Sequence, residues 1–346
     1  MDVHGERGVK LCGGAVPIHS IMIATESEVV SFDPHSGELR SVGGLDGQRL
    51  TCLADDRGSG RAWCGTRRGG VFRSNDGGRS WTLAGLEGEE ITAVACDPAG
   101  VLWVGTEPSA LWWSEDGGAS WERLEGLLEL PSSPEWAFPP RPDTHHVRWI
   151  ASHPERPGHL WIAIEAGALV STPDGGRSWR DRVAGGPWDT HELAIHPARP
   201  NTLRVAAGDG YFESPDGGGT WTTPRRGLEV GYLRSIGIDP GSPDVIVVSG
   251  ATGPRTTYVA GRSDGRVYRR DVRAGGDSPW ERITTGWAEP PNTIAPLLLA
   301  GTWPGEFWAA DERGLHRSED EGRSWSRLAG YPRGRPDYLR GIVGVS

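Results

Sequence analysis

No apolar run in this chain approaches the roughly 18 residues needed to span a membrane, and no stretch carries the spacing of a long amphipathic helix. The first absence argues against a helical membrane anchor and the second against a helical fold. Positive charge is also short. The formal net charge is −10 and the pI is near 5.5, whereas a general nucleic-acid binder would be basic. Cysteine is scarce. Cys12, Cys52, Cys64 and Cys96 show no paired metal-ligand spacing, and three of them sit inside strand-like runs. They are expected to be small, buried and apolar. Residues 1–25 hold no apolar core before Ile18, which argues against a secretory signal and sets the expectation of a cytoplasmic protein. There is no nucleophile elbow, phosphate loop or strict metal motif, so the sequence names no cofactor and leaves a metal open.

Gly 52, Pro 27 and Trp 17 are all high counts in 346 residues. Turn-rich β structure studded with tryptophan accounts for all three. The stretch SNDGGRSW (74–81) is rewritten as SEDGGASW (114–121), TPDGGRSW (172–179), SPDGGGTW (214–221) and SEDEGRSW (318–325). Each copy reads Ser/Thr-x-Asp-x-Gly-x-x-Trp, a repeat that governs the whole fold. In each, the Ser or Thr ends an apolar strand and the Asp accepts N–H groups of its own turn. The Gly takes a backbone conformation closed to side chains, and the Trp opens the next strand.

These residues resemble the Asp-box, found in blades of sialidases, sortilin-type receptors, certain endoglucanases and a photosystem assembly factor. The resemblance covers most of the chain. It implies a β-propeller, and it implies no single activity, because such proteins range from hydrolases to pure binding proteins.

Each unit reads as four strands, A to D. A strands are ITAVACDP (91–98), VRWIASHP (147–154), HELAIHP (191–197) and LRSIGIDP (233–240). Two further units have lost the motif. SIMIAT, EVVSFD and ELRSV (20–42) match B, C and D, and GRVYRRD and PWERI (265–283) match C and D with Trp280 in the Trp place. Five intact and two decayed units make seven. The first unit lacks an A strand, and YLRGIVGV (338–345) looks like an A strand with nothing after it. The expected fold is therefore all-β, a single seven-bladed propeller domain over 1–346. Residues 1–17 would form an extension, and the C-terminal strand would close the ring by pairing into the first blade.

In such a ring the D–A and B–C connections share one face. The long insertions 126–143, 250–264 and 284–292 all fall there, and long loops on a rigid scaffold usually carry function. Aligned on their Asp-Pro or His-Pro ends, the A strands enter this face with Glu90, His146, Asp189 and Tyr232, then Thr92, Arg148, His191 and Arg234. The C-terminal strand adds Tyr338 and Arg340, and the B–C loops add Glu165 and Asp209. Deeper residues, Val94, Ile150, Leu193 and Ile236, are apolar and read as the same strand face. The expected ligand site is Arg148, Arg234, Arg340, His146, His191, Asp189, Tyr232, Tyr338, Glu165 and Glu192, a set suited to a polar or anionic ligand.

The leading functional expectation is a non-catalytic binding or assembly protein for a small polar or anionic ligand or a protein partner, with no nucleic acid or membrane involved. Two enzymatic readings stand beside it. One is a sialidase-like glycosidase using the three arginines, a Tyr–Glu pair and an acid such as Asp189. Against it stand seven blades rather than six and the lack of an Arg-Ile-Pro stretch. The other is a metal-assisted enzyme with ligands among His145, His146, His191, Asp189, Glu192 and Glu165.

Overall fold

The computed structural model describes residues 16–56, 58–259, 261–273, 275–287 and 293–346. Cys12, most of the expected N-terminal extension and the end of the 284–292 insertion lie outside them. The chain forms seven antiparallel sheets arranged as a ring of blades. From blade 1 to blade 7 the innermost strands are Leu339–Val345, Leu50–Asp56, Glu90–Cys96, Val147–Ser152, Thr190–Ile195, Tyr232–Ile238 and Leu297–Ala300. Blade 1 closes as expected, with Leu339–Val345 paired antiparallel to Ser20–Thr25. Blades 4 and 5 hold three strands each, and their fourth is reduced to single bridges at Ser171–Arg180 and Glu213–Thr222.

Seven hydrophobic clusters stand one at each blade interface. Sheet faces that alternate large apolar residues on both sides can be covered only by a neighbour on each side, which is why the ring is needed. Cys64 is buried among them, Cys52 and Cys96 are half-buried, and all three are unpaired. Burial pushes the Cys52 thiol up to about 11.

The octapeptide turns share a common set of hydrogen bonds, with the Gly N–H on the Ser or Thr hydroxyl and the N–H four residues after the Asp on its carboxylate. Asp76 Oδ1 accepts the N–H groups of Arg79 and Ser80, both at 2.9 Å, and Ser74 Oγ accepts Gly78 N–H at 2.8 Å. Gly78 has φ +85°, and a Cβ there would stand 2.0 Å from Met22 Sδ of the preceding blade. The glycine is thus fixed by close approach as well as by conformation. The tryptophans do more than close their own hairpins. Trp121 donates to the Ala84 carbonyl at 2.7 Å, across the blade boundary. A glycine following the outer edge of one blade lies against the Trp of the next: Gly85, Gly126 and Gly186 against the indoles of Trp121, Trp179 and Trp221, and Gly227 and Gly286 against the backbone of Trp280 and Trp325. These contacts tie neighbouring blades at their outer edge.

Candidate functional site

The innermost strands carry one feature that simple alternation does not show. In six blades their pairing shifts by one residue near the start, leaving Thr51, Thr92, Arg148, His191, Arg234 and Arg340 without a partner. A β-bulge of this kind re-aims a side chain. It also breaks the period of two, so Val147 and Ile150, three apart, pack into the same inter-blade core. The expectation that Ile150, Leu193, Ile236 and Val94 continue the face of the charged residues is therefore corrected. They belong to the cores between blades, and the bulged residues are set apart from them.

Blades 4, 5 and 6 bring most of the expected residues together. Glu165, in the turn after Leu160–Ile164, accepts from His146 Nε2 at 2.8 Å and pairs with Arg148 Nε at 3.3 Å. Burial would raise its carboxyl, but His146 and Arg148 hold it down to about 2. Asp189 Oδ1 accepts the Ala166 N–H at 3.0 Å, and its Oδ2 lies 3.6 Å from His191 Nε2. His191 is buried, with Nδ1 2.5 Å from the Leu233 carbonyl and its ring 4.7 Å from that of Tyr232. Burial would keep that imidazole neutral, but Tyr258, Asp189 and Glu165 outweigh it and lift its pKa to about 9. Glu165, Asp189 and His191 each offer one ligand atom, all within 4.8 Å of one another.

Arg234 is only 3% exposed and bridges three blades, donating to the Ala295 carbonyl at 2.5 Å and the Leu339 carbonyl at 2.9 Å. Its Nε has no partner, and it has no carboxylate partner among the described residues. Burial, together with the charges of Arg148 and Arg340, pulls its guanidinium down to about 10. Its face lies 5.0 Å from the Tyr258 ring. Glu192 is turned aside. It accepts from Ser235 Oγ at 2.6 Å, and burial raises its carboxyl to about 7.

Two expected residues sit at the edge. Tyr338 is 36% exposed, with Arg340 above its ring at 5.3 Å and no contact with the cluster among the described residues. Arg340 lies 3.8 Å from Glu26, which Arg49 holds more closely at 2.5 Å. His145 turns away from His146 onto Trp136, and the buried Trp136 anchors the 126–143 connection. Asp209 caps the Trp188 and Asp189 N–H groups. Two surface recesses of about 60 and 90 Å³, one beside Trp161 and Trp221 and one beside Glu28 and Arg333, include none of the clustered residues.

Tyr258 and Glu107 were missed by sequence reasoning. Tyr258 lies in the 250–264 insertion, its hydroxyl 3.4 Å from that of Tyr232. Burial opposes its ionisation, but His191, Arg148 and Arg234 draw its phenol below the ordinary range. Glu107 lies 3.7 Å from His146 Nδ1 and 2.5 Å from Arg141. The insertion's expected position on the same face as the blade-entry residues was a usable signal for Tyr258. Glu107 gave none, because its partners come from a distant loop.

The two component regulator propeller family matches residues 85–107. No curated protein matches the chain. Among solved structures, the GH74 enzyme of Niastella koreensis superimposes with a TM-score of 0.66 at 15% identity, covering 92% of this chain and 55% of that one. This chain thus spans about half the length of that enzyme. YCF48 bound to D1 peptide has a TM-score of 0.60 at 17% identity, covering 96% of each chain. YCF48 from Cyanidioschyzon merolae has a TM-score of 0.59 at 14% identity, covering 92% of this chain and 97% of that one. These likenesses establish a shared fold, one that serves an enzyme and a peptide-binding protein alike. No helix among the described residues is long and apolar enough to cross a membrane.

Proposed function

We propose that the chain is an Asp-box propeller of the non-catalytic kind, a binding or assembly protein whose channel mouth receives an anionic group. The observation that carries this is Arg234. A buried guanidinium normally finds a carboxylate, because an unpaired buried charge is costly. Here two nitrogens are tied to carbonyls, the third is unused, and Arg148 and Arg340 add like charge. The carboxylates of this region are already held: Glu165 by His146 and Arg148, Glu192 by Ser235, Glu26 by Arg49. Tyr258 is the group nearest to a counter-ion. A carboxylate or phosphate that displaces Tyr258 would meet donors from several blades at once. YCF48 is known bound to D1 peptide, and an acidic segment of a protein partner presents the same carboxylate chemistry as a small anion.

The test is thermal. Small carboxylates and phosphate are titrated against the melting temperature of the wild type, Arg234→Ala and Arg148→Ala. An anion at a hundred times its dissociation constant adds about 2.7 kcal/mol of stability, and both variants should lose that gain. Arg148 is partly exposed, so its variant guards against a simple folding defect at Arg234. A wild type that responds to no anion while both variants merely melt earlier would leave a structural salt-bridge rim instead.

A further inference from the structure

We propose that Glu165, Asp189 and His191 form a binding site for one divalent transition-metal ion at the channel mouth, separate from the anion-binding role of Arg234. The three ligand atoms lie within 4.8 Å of one another and come from two adjacent blades. His191 supplies the second, independent observation. Its Nδ1 lies 2.5 Å from the Leu233 carbonyl, so Nδ1 donates there and Nε2 is the nitrogen left to ligate. Its Nε2 is buried, has no hydrogen-bond partner, and faces Asp189 Oδ2 at 3.6 Å. The carboxylates around Nε2 favour positive charge at that position. A divalent ion in place of the Nε2 proton supplies that charge, and an imidazole whose other N–H is held by a backbone carbonyl is the usual form of a metal-ligating histidine.

The separation is right. Two ligands each about 2.1 Å from a tetrahedral ion stand ~3.4 Å apart, close to the 3.6 Å between His191 and Asp189. The carboxylates are held as well. The Ala166 N–H engages Asp189 Oδ1 and leaves Oδ2 free. His146 and Arg148 orient Glu165, and Glu107 stands behind His146. Gly208 makes room: a Cβ there would stand 1.9 Å from Asp189 Oδ2. The Glu165 and Asp189 side chains are 14% and 16% exposed, so an ion can enter from the mouth. One imidazole with two carboxylates suits Zn²⁺ or Mn²⁺ better than Mg²⁺ or Ca²⁺. Arg148 opposes a second positive charge, so the ion binds best with an anion or hydroxide completing its shell.

Chelator-treated full-length protein is titrated with ZnCl₂ or MnCl₂ alone by isothermal calorimetry, in a buffer that holds no multivalent anion. One equivalent should bind to the wild type. Asp189→Asn and Glu165→Gln should each weaken binding at least about 100-fold, since lesser changes in a metal's outer shell already cost 10–100-fold. Circular dichroism should show both variants folded. Arg234→Ala should keep the ion while losing anion binding, so the two proposals fail separately. A folded wild type that binds neither ion at millimolar concentration overturns the proposal. So does binding that survives both carboxylate substitutions.

Discussion

Removing residues 338–346 should abolish cooperative folding. Leu339–Val345 is the innermost strand of blade 1 and pairs with Ser20–Thr25 over six residue pairs, Ser20–Val345 to Thr25–Leu339. Leu339, Val343 and Val345 are 5%, 7% and 3% exposed. At about 1.5–3 kcal/mol each for full burial, these three side chains alone contribute roughly 4.5–9 kcal/mol, an upper estimate because unfolded chains are partly compact. Deletion would also uncover Ile21, Met22 and Ile23, all fully buried, and remove the Leu339 carbonyl that accepts Arg234. Typical total stabilities are about 5–15 kcal/mol, so the loss rivals the whole. The assay is urea unfolding followed by far-ultraviolet circular dichroism, together with gel filtration. The truncated chain should give a broad, shallow transition or none, and a synthetic peptide of residues 336–346 should restore part of it. A truncated chain with the midpoint and slope of the full protein would refute the reasoning.

Asp76→Ala strips the acceptor from two backbone N–H groups and should lower stability by about 1–3 kcal/mol. Anion binding, read by thermal titration, should be unchanged, because the turn lies on the opposite face. Asp311 is buried, and although burial would raise its carboxyl, His316 and Arg313 hold it down to about 2. Its stabilising share is therefore complete above about pH 4 and is lost as pH falls toward 2. Asp311→Asn should flatten that limb of an acid-unfolding curve, and an unchanged limb would contradict the assignment. Glu192 has the opposite sign. Burial lifts its folded pKa to about 7, so its contribution falls as pH rises from about 4.5 to 7, and Glu192→Gln should remove that decline from unfolding midpoints measured across the range. Tyr258→Ala uncovers Arg234 and should tighten anion binding several-fold by calorimetry. Weaker binding would instead make Tyr258 part of the receptor.

The fold was legible because its signals are local and repeated. The Asp and Ser/Thr hydrogen bonds of a Ser/Thr-x-Asp-x-Gly-x-x-Trp turn lie within the turn itself, and five copies set the blade period. Closure was legible because YLRGIVGV copies YLRSIGI. The site was legible as a set of blade-entry residues but not as geometry. One bulge per strand breaks alternation, so Val147 and Ile150 share a core while Arg148 is set apart from them. Tyr338 precedes the paired strand and stays at the surface, a placement that depends on where pairing begins. Tyr258 and Glu107 join through long loops, whose course depends on packing rather than on period. The glycine against each of these tryptophans was present as a pattern, but contacts between successive blades cannot be seen within one repeat.

The central claim, an anion-receptive guanidinium at the channel mouth, is tested most directly at the Arg234 Nε–H itself. In a ¹⁵N-labelled sample its resonance can be assigned by its loss in Arg234→Lys. Titration with phosphate or a dicarboxylate should shift that resonance in a saturable way, with the Arg148 and Arg340 signals following the same isotherm. An Arg234 resonance that stays fixed at saturating anion, in a protein that remains folded, would contradict the account.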